Sequence, residues 1–98
     1  MATPIYKVFL NKFTAAYYDS SKEEMDKLIA ESEKVSKKLG IEMVVLCESG
    51  WDSEEWDFWG VTEFPSLEAV QEFRKWQDGV QWFKYVDATS VLGTKWNV

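Results

Sequence analysis

Residues 4–13, PIYKVFLNKF, alternate as a strand does, yet both of its faces are largely apolar. One face carries Tyr6, Val8 and Leu10. The other carries Ile5, Phe9, Asn11 and Phe13, with Lys7 among them. A half-solvated strand would alternate apolar with polar residues, so this pattern asks for cover on both sides. Any fold proposed for the chain must supply two such covers.

The rest of the chain supplies elements in a definite order. Ser21-Lys-Glu-Glu24 has the form of a capping box, a hydroxyl followed three residues later by a glutamate. Met25, Leu28, Ile29, Val35 and Leu39 follow at helical spacing, with Ser32 completing the stripe. Lys37 and Lys38 suit a last turn, and Gly40 suits a left-handed cap. The spacing predicts a helix over 21–39. IEMVVLCES, 41–49, reads as a second strand, 50–53 as a turn, and EEWDFWGVTEF, 54–64, as a third strand. In that strand Trp56, Phe58 and Gly60 point one way, and Asp57, Trp59 and Val61 the other. Pro65-Ser66 opens a second helix that runs to about Trp76, with Leu67, Val70 and Phe73 on its buried side, and Asp78-Gly79 ends it. Residues 80–86 read as a short helix or an irregular turn, and 89–98 as a last strand.

The order β-α-β-β-α-β is the ferredoxin-like split βαβ pattern, an α+β fold with a four-stranded antiparallel sheet and two helices on one face. The 98 residues make one such domain. Two helices cover one sheet face only. The other face, equally apolar, needs a partner, and the simplest is a second copy meeting it sheet to sheet about a two-fold axis.

Composition limits the chemistry. The chain has no histidine, which removes imidazole as general base, haem ligand or metal ligand. With one cysteine, zinc sites of the multi-Cys kind are excluded as well. Cys47, in the apolar run MVVLCE, reads as a small buried residue and fits a reducing compartment. A net charge of −6 argues against nucleic acid and anionic membrane surfaces as partners. The N-terminus lacks the pattern of a signal peptide, and no apolar run approaches the roughly 20 residues of a membrane span. A soluble, cytoplasmic protein is expected.

Candidate site residues follow from polar groups set among apolar ones. Asn11 lies on an apolar strand face, where an unpaired amide costs about 1–3 kcal/mol, so it either bonds a neighbouring segment or orients a ligand. Asp57 shares a face with Trp59 and Val61 and could act as a base or form an ion pair, with Arg74 as a candidate counterion. Asp52, Glu54 and Glu55 lack the spacing of a calcium loop and read as solvated turn residues. Trp76 either packs in the core or walls a pocket, and Trp82 and Tyr85 suit a lid or a dimer seam. Tyr17-Tyr18 lie where a pocket entrance is expected.

The stretch WGVTEFPSLEAVQEFRKWQDGVQWFKYV, 59–86, has an aromatic strand, a Ser-capped helix ending in Trp, a short turn and an aromatic segment. This arrangement resembles the dimeric α+β barrel superfamily and is similar to its antibiotic-biosynthesis monooxygenase branch. The resemblance implies a homodimer through the sheet faces. It also implies a hydrophobic aromatic substrate held between sheet and helices, and oxidation by O₂ without metal or flavin. Asn11 and Trp76 fall at places matching a strand Asn and a helix-end Trp of several members. The place of the histidine found in haem-degrading members falls near Val86 or Asp87 and is not His. On this reading Asn11 positions an oxygen atom, Asp57 or a tyrosine moves a proton, and Trp76, Trp59, Phe9, Tyr85 and Trp82 bind substrate. No metal or cofactor is called for. Two function classes stand side by side. One is a cofactor-free monooxygenase or cyclase of secondary-metabolite biosynthesis. The other is a non-catalytic accessory protein that holds or delivers a pathway intermediate. A plain assembly module is a third.

Overall fold

The computed structural model describes residues 3–97. Strands β1 (Ile5–Phe13), β2 (Glu42–Glu48), β3 (Phe58–Phe64) and β4 (Val86–Gly93) form one antiparallel sheet in the order β2-β3-β1-β4. The two long helices, α2 (Lys22–Leu39) and α3 (Leu67–Gly79), are the crossovers of the ferredoxin-like pattern. Two short ones, α1 (Ala15–Asp19) and α4 (Trp82–Tyr85), sit at the ends of β1 and β4. No helix among the described residues is long and apolar enough to cross a membrane.

The helix ends are built as the sequence indicates. Ser21 accepts a hydrogen bond from the Glu24 N–H, and Ser66 does the same for Ala69. Gly40 closes α2 in the left-handed conformation, φ 74°, with its N–H returned to the carbonyls of Ser36 and Lys37. A buried cluster of Ile41, Phe64 and Ala69, flanked by Ile5, Leu39, Val70 and Phe73, joins both long helices to the sheet. Burying a side chain such as Phe64 is worth about 1.5–3 kcal/mol.

That cluster identifies the helix-facing side of the sheet. Ile5 pairs with Phe64, so Ile5, Lys7, Phe9, Asn11 and Phe13 face the helices, with Phe58, Gly60 and Thr62 of β3 beside them. The opposite face carries Tyr6, Val8, Leu10, Val61, Trp59, Val45 and Cys47. Among the described residues no helix lies over it. The molecule measures 43 × 29 × 17 Å, and its least dimension accommodates a sheet and one helical layer. Val8, Val45, Trp59 and Val91 are accordingly exposed. Cys47, expected to be buried, is half-buried on this open face opposite Trp59.

Three elements differ in their bounds from expectation. The third strand begins at Phe58 rather than at residue 54, because 49–57 is held as a loop. Ser49 and Gly50 donate to the Asp57 carbonyl at 2.9 and 3.1 Å, Ser49 Oγ donates to the Trp56 carbonyl, and Ser53 Oγ accepts from Glu55 and Trp56. The second helix runs past Trp76 to Gly79. Residues 82–85 take the short helix, one of the two forms expected within 80–86, entered through Gln81 at φ 57°. The last strand covers 86–93 instead of 89–98, since its register pairs Phe13 with Val86 and Tyr6 with Gly93. The Val98 end of that expectation lies outside the described residues. α1 was not anticipated; Thr14 caps it, and Thr14 ties its start to α4 through the carbonyls of Lys84 and Tyr85.

Candidate functional site

The helix-facing side of β1 carries two polar residues in an otherwise apolar row, Lys7 and Asn11. Asn11 is 6% exposed, and its Oδ1 is buried without a hydrogen-bond partner. Two further buried atoms of the described residues are also unpaired: Trp76 Nε1 and Gln77 Oε1, both near the C-terminal end of α3. Gln77, 6% exposed, follows Ala69 and Phe73 at helical spacing on the inward side of α3. Two unpaired acceptors and one unpaired donor are thus buried between the sheet and α3 among largely apolar and aromatic residues.

The rings form two runs. Phe64, Phe73, Trp76 and Trp82 follow one another with centroids 6.2, 5.6 and 6.1 Å apart. Phe9 and Phe13 each approach Phe58, at 6.3 and 5.2 Å, and Tyr17 stacks on Phe13 at 3.9 Å. Phe9 also fills the space above Gly60. A Cβ there would stand 2.6 Å from the Phe9 ring and 2.7 Å from the Val45 carbonyl. The layer is open along β4. Ala88, Ser90 and Leu92, opposite Asn11, Phe9 and Lys7, are all exposed.

Lys7 sits mid-strand between Thr62 and Leu92. It takes part in none of the side-chain hydrogen bonds or ion pairs found among the described residues. Burial, and secondarily the Arg74 guanidinium, hold its ammonium below the usual lysine range. Arg74 itself pairs with Asp78 at 3.1 Å and lies 4.5 Å over the Phe83 ring. It is not the counterion of Asp57.

The other candidates separate. Asp57 precedes β3, and its Oδ2 accepts the Phe13 N–H at 2.8 Å while its own N–H donates to the Asn11 carbonyl at 2.9 Å. The carboxylate thereby continues the pairing of β1 and β3 past the strand end. Trp59 is on the open face between Leu10 and Cys47, across the sheet from Phe9 and Asn11. There it lines a shallow cleft of ≈ 520 Å³ with Leu10, Cys47, Trp51 and Trp56. Tyr85 is half-buried in α4, its ring under the Lys84 ammonium at 5.6 Å. Of the tyrosine pair, Tyr17 packs on Phe13 and Tyr18 is exposed. Asn11 and Phe9 lie on the helix-facing side of β1, Trp76 and Trp82 belong to the ring run of α3 and α4, and Trp59 lies on the opposite face of the sheet, with Asp57 in the loop before β3. Two residues assigned no site role from the sequence join the layer, Lys7 and Gln77. Each breaks an apolar repeat, and that interruption was the available signal.

Solved structures share this architecture. The methylated protein RPA0582 superposes with a TM-score of 0.72 at 22% identity, over 99% of this chain and 84% of that one. A variant of chlorite dismutase from Candidatus Nitrospira defluvii gives 0.72 at 14% identity, over all of this chain; the chain spans 42% of that protein. A hypothetical protein of Arabidopsis thaliana, solved in solution, gives 0.62 at 17% identity, over 98% and 91% of the two chains. The chain shares with these structures a ferredoxin-like α+β fold. No protein-family model matches it, and no curated relative does.

Proposed function

We propose that this chain forms a homodimer through its open sheet faces and binds a hydrophobic aromatic small molecule between sheet and helices. The observation that carries the binding is the set of buried unpaired atoms, Asn11 Oδ1, Gln77 Oε1 and Trp76 Nε1, within an aromatic layer. Each unpaired group costs about 1–3 kcal/mol, which a ligand offering a hydroxyl or carbonyl would recover. The rings supply the apolar contact, and the exposed helix-facing side of β4 supplies the way in.

Holding or delivering an aromatic intermediate is the reading the geometry favours. Asp57, the acid nominated from the sequence to move a proton, is engaged by the Phe13 N–H. A cofactor-free monooxygenase or cyclase is the second reading. It is favoured by Asn11 and Trp76, the positions matching that branch, both having a free polar atom in the same layer. In it Asn11 positions a substrate oxygen by a hydrogen bond, and Trp76 donates to a second one.

Native mass spectrometry and titration of tryptophan fluorescence with phenolic and polyketide-like compounds test the proposal. A dimer whose fluorescence responds to a compound, with the response lost in Asn11→Leu, is the expected result. A protein that responds to no aromatic compound overturns it. Turnover of the bound compound distinguishes the second reading from the first.

A further inference from the structure

Resting on that binding layer, we infer that its ligand is an anionic aromatic, one whose negatively charged oxygen is received by Lys7. Lys7 stands on the helix-facing row of β1 two residues from Phe9 and four from Asn11, the spacing that keeps all three on one face. Its neighbours across the sheet, Thr62 and Leu92, carry no charge. The strand carboxylates closest in register are Glu63, opposite Tyr6, and Glu42, opposite Glu63, and both belong to the open face. Glu63 is bonded there by the Tyr6 hydroxyl at 2.7 Å. Arg74 on α3 is exposed and paired with Asp78 at 3.1 Å on the outer side of the helix, which leaves Lys7 as the cation of this layer without a partner among the described residues.

Lys7 is thus a single unpaired positive charge on the helix-facing side of a chain whose net charge is −6. A partly buried ammonium without a protein partner is unfavourable, and an anion supplied from outside corrects it. The exposed Leu92, directly opposite Lys7, leaves the strand edge clear for entry. The aromatic rings and the amides of Asn11 and Gln77 then receive the remainder of the ligand. A carboxylate and an ionised phenol share this chemistry.

Two fluorescent probes with one ring system separate the charge from the rings: anilinonaphthalene sulfonate, and its uncharged parent phenylnaphthylamine. On the intact protein the sulfonate is expected to bind about tenfold or more tightly than the parent, the scale of one charge-assisted hydrogen bond. Lys7→Met should remove that advantage and leave the parent's affinity unchanged. Lys7→Arg should retain it, as should Lys12→Met, which deletes the same charge from the open face. Equal binding of the two probes, or an advantage that survives Lys7→Met, overturns this inference while leaving the binding layer standing. Binding of neither probe overturns the layer as a site, and the inference with it.

Discussion

Asn11 is where stability and binding pull in opposite directions. Its amide oxygen is buried and unpaired, so the free protein bears the desolvation of that group with nothing in return. Asn11→Leu is expected to stabilise the unliganded protein by on the order of 1 kcal/mol in urea unfolding, while abolishing ligand response. Destabilisation of similar size would mean that the oxygen has a structural partner, and would remove the functional reading of this residue. Tyr6 offers a second test at this scale. Its hydroxyl donates to Glu63 at 2.7 Å, and this bond first, with burial and the carboxylate's charge after it, raises the phenol above its ordinary value of 10.0. The folded state therefore keeps a proton that the unfolded chain gives up. The stabilisation is complete below pH 10.0 and is lost as pH rises through the folded value. Absorbance titration at alkaline pH should show a phase above the ordinary phenol value, and Tyr6→Phe should delete that phase.

Among the elements, β1 and α2 were legible because their signals are local. The capping box at Ser21–Glu24 and the cap at Gly40 depend on residues within one turn. The apolar alternation of β1 survives because it is one of the two internal strands, paired on both sides along its length. The boundaries of β3 and β4 were not legible in the same way. Residues 54–57 alternate like a strand, yet Ser49 and Ser53 hold them as a loop through bonds that span several residues. β4 starts at Val86 because β1 dictates its register, a long-range fact. The site was half legible for a related reason. Asn11 and Trp76 stand out by residue type, but Gln77 shows itself only once the inward side of α3 is known. Trp59 and Phe9 fall on opposite sides because the parity of two apolar faces does not label either one. Gly60 ties two elements together, lying under the Phe9 ring and the Val45 carbonyl. Gly60→Ala is expected to destabilise by about 1–3 kcal/mol, read by chemical unfolding. Adding Phe9→Leu should recover only part, since the Val45 carbonyl stays in place.

The whole molecule is one sheet with helices on one side and apolar residues on the other. A single chain leaves Val8, Val45, Trp59 and Val91 in water, a large exposed patch for a protein this size. In the proposed homodimer these residues meet their copies, and Val61 lies near the middle of the open face, opposite Val8 and Val45. Val61→Glu is expected to shift the protein from dimer to monomer in size-exclusion chromatography. An unchanged elution volume would show that this face is not the one used.

The Tyr6–Glu63 hydrogen bond sits on that same open face, at its edge beside Glu42 and next to the apolar Val8 and Val61. Two greasy sheets can slide over each other with little preference for one alignment. A polar pair that must keep its bond and lose its water cannot. In a sheet-to-sheet assembly it would act as an alignment mark, penalising any offset that strands the carboxylate against a methyl group and discouraging pairing with unrelated apolar sheets.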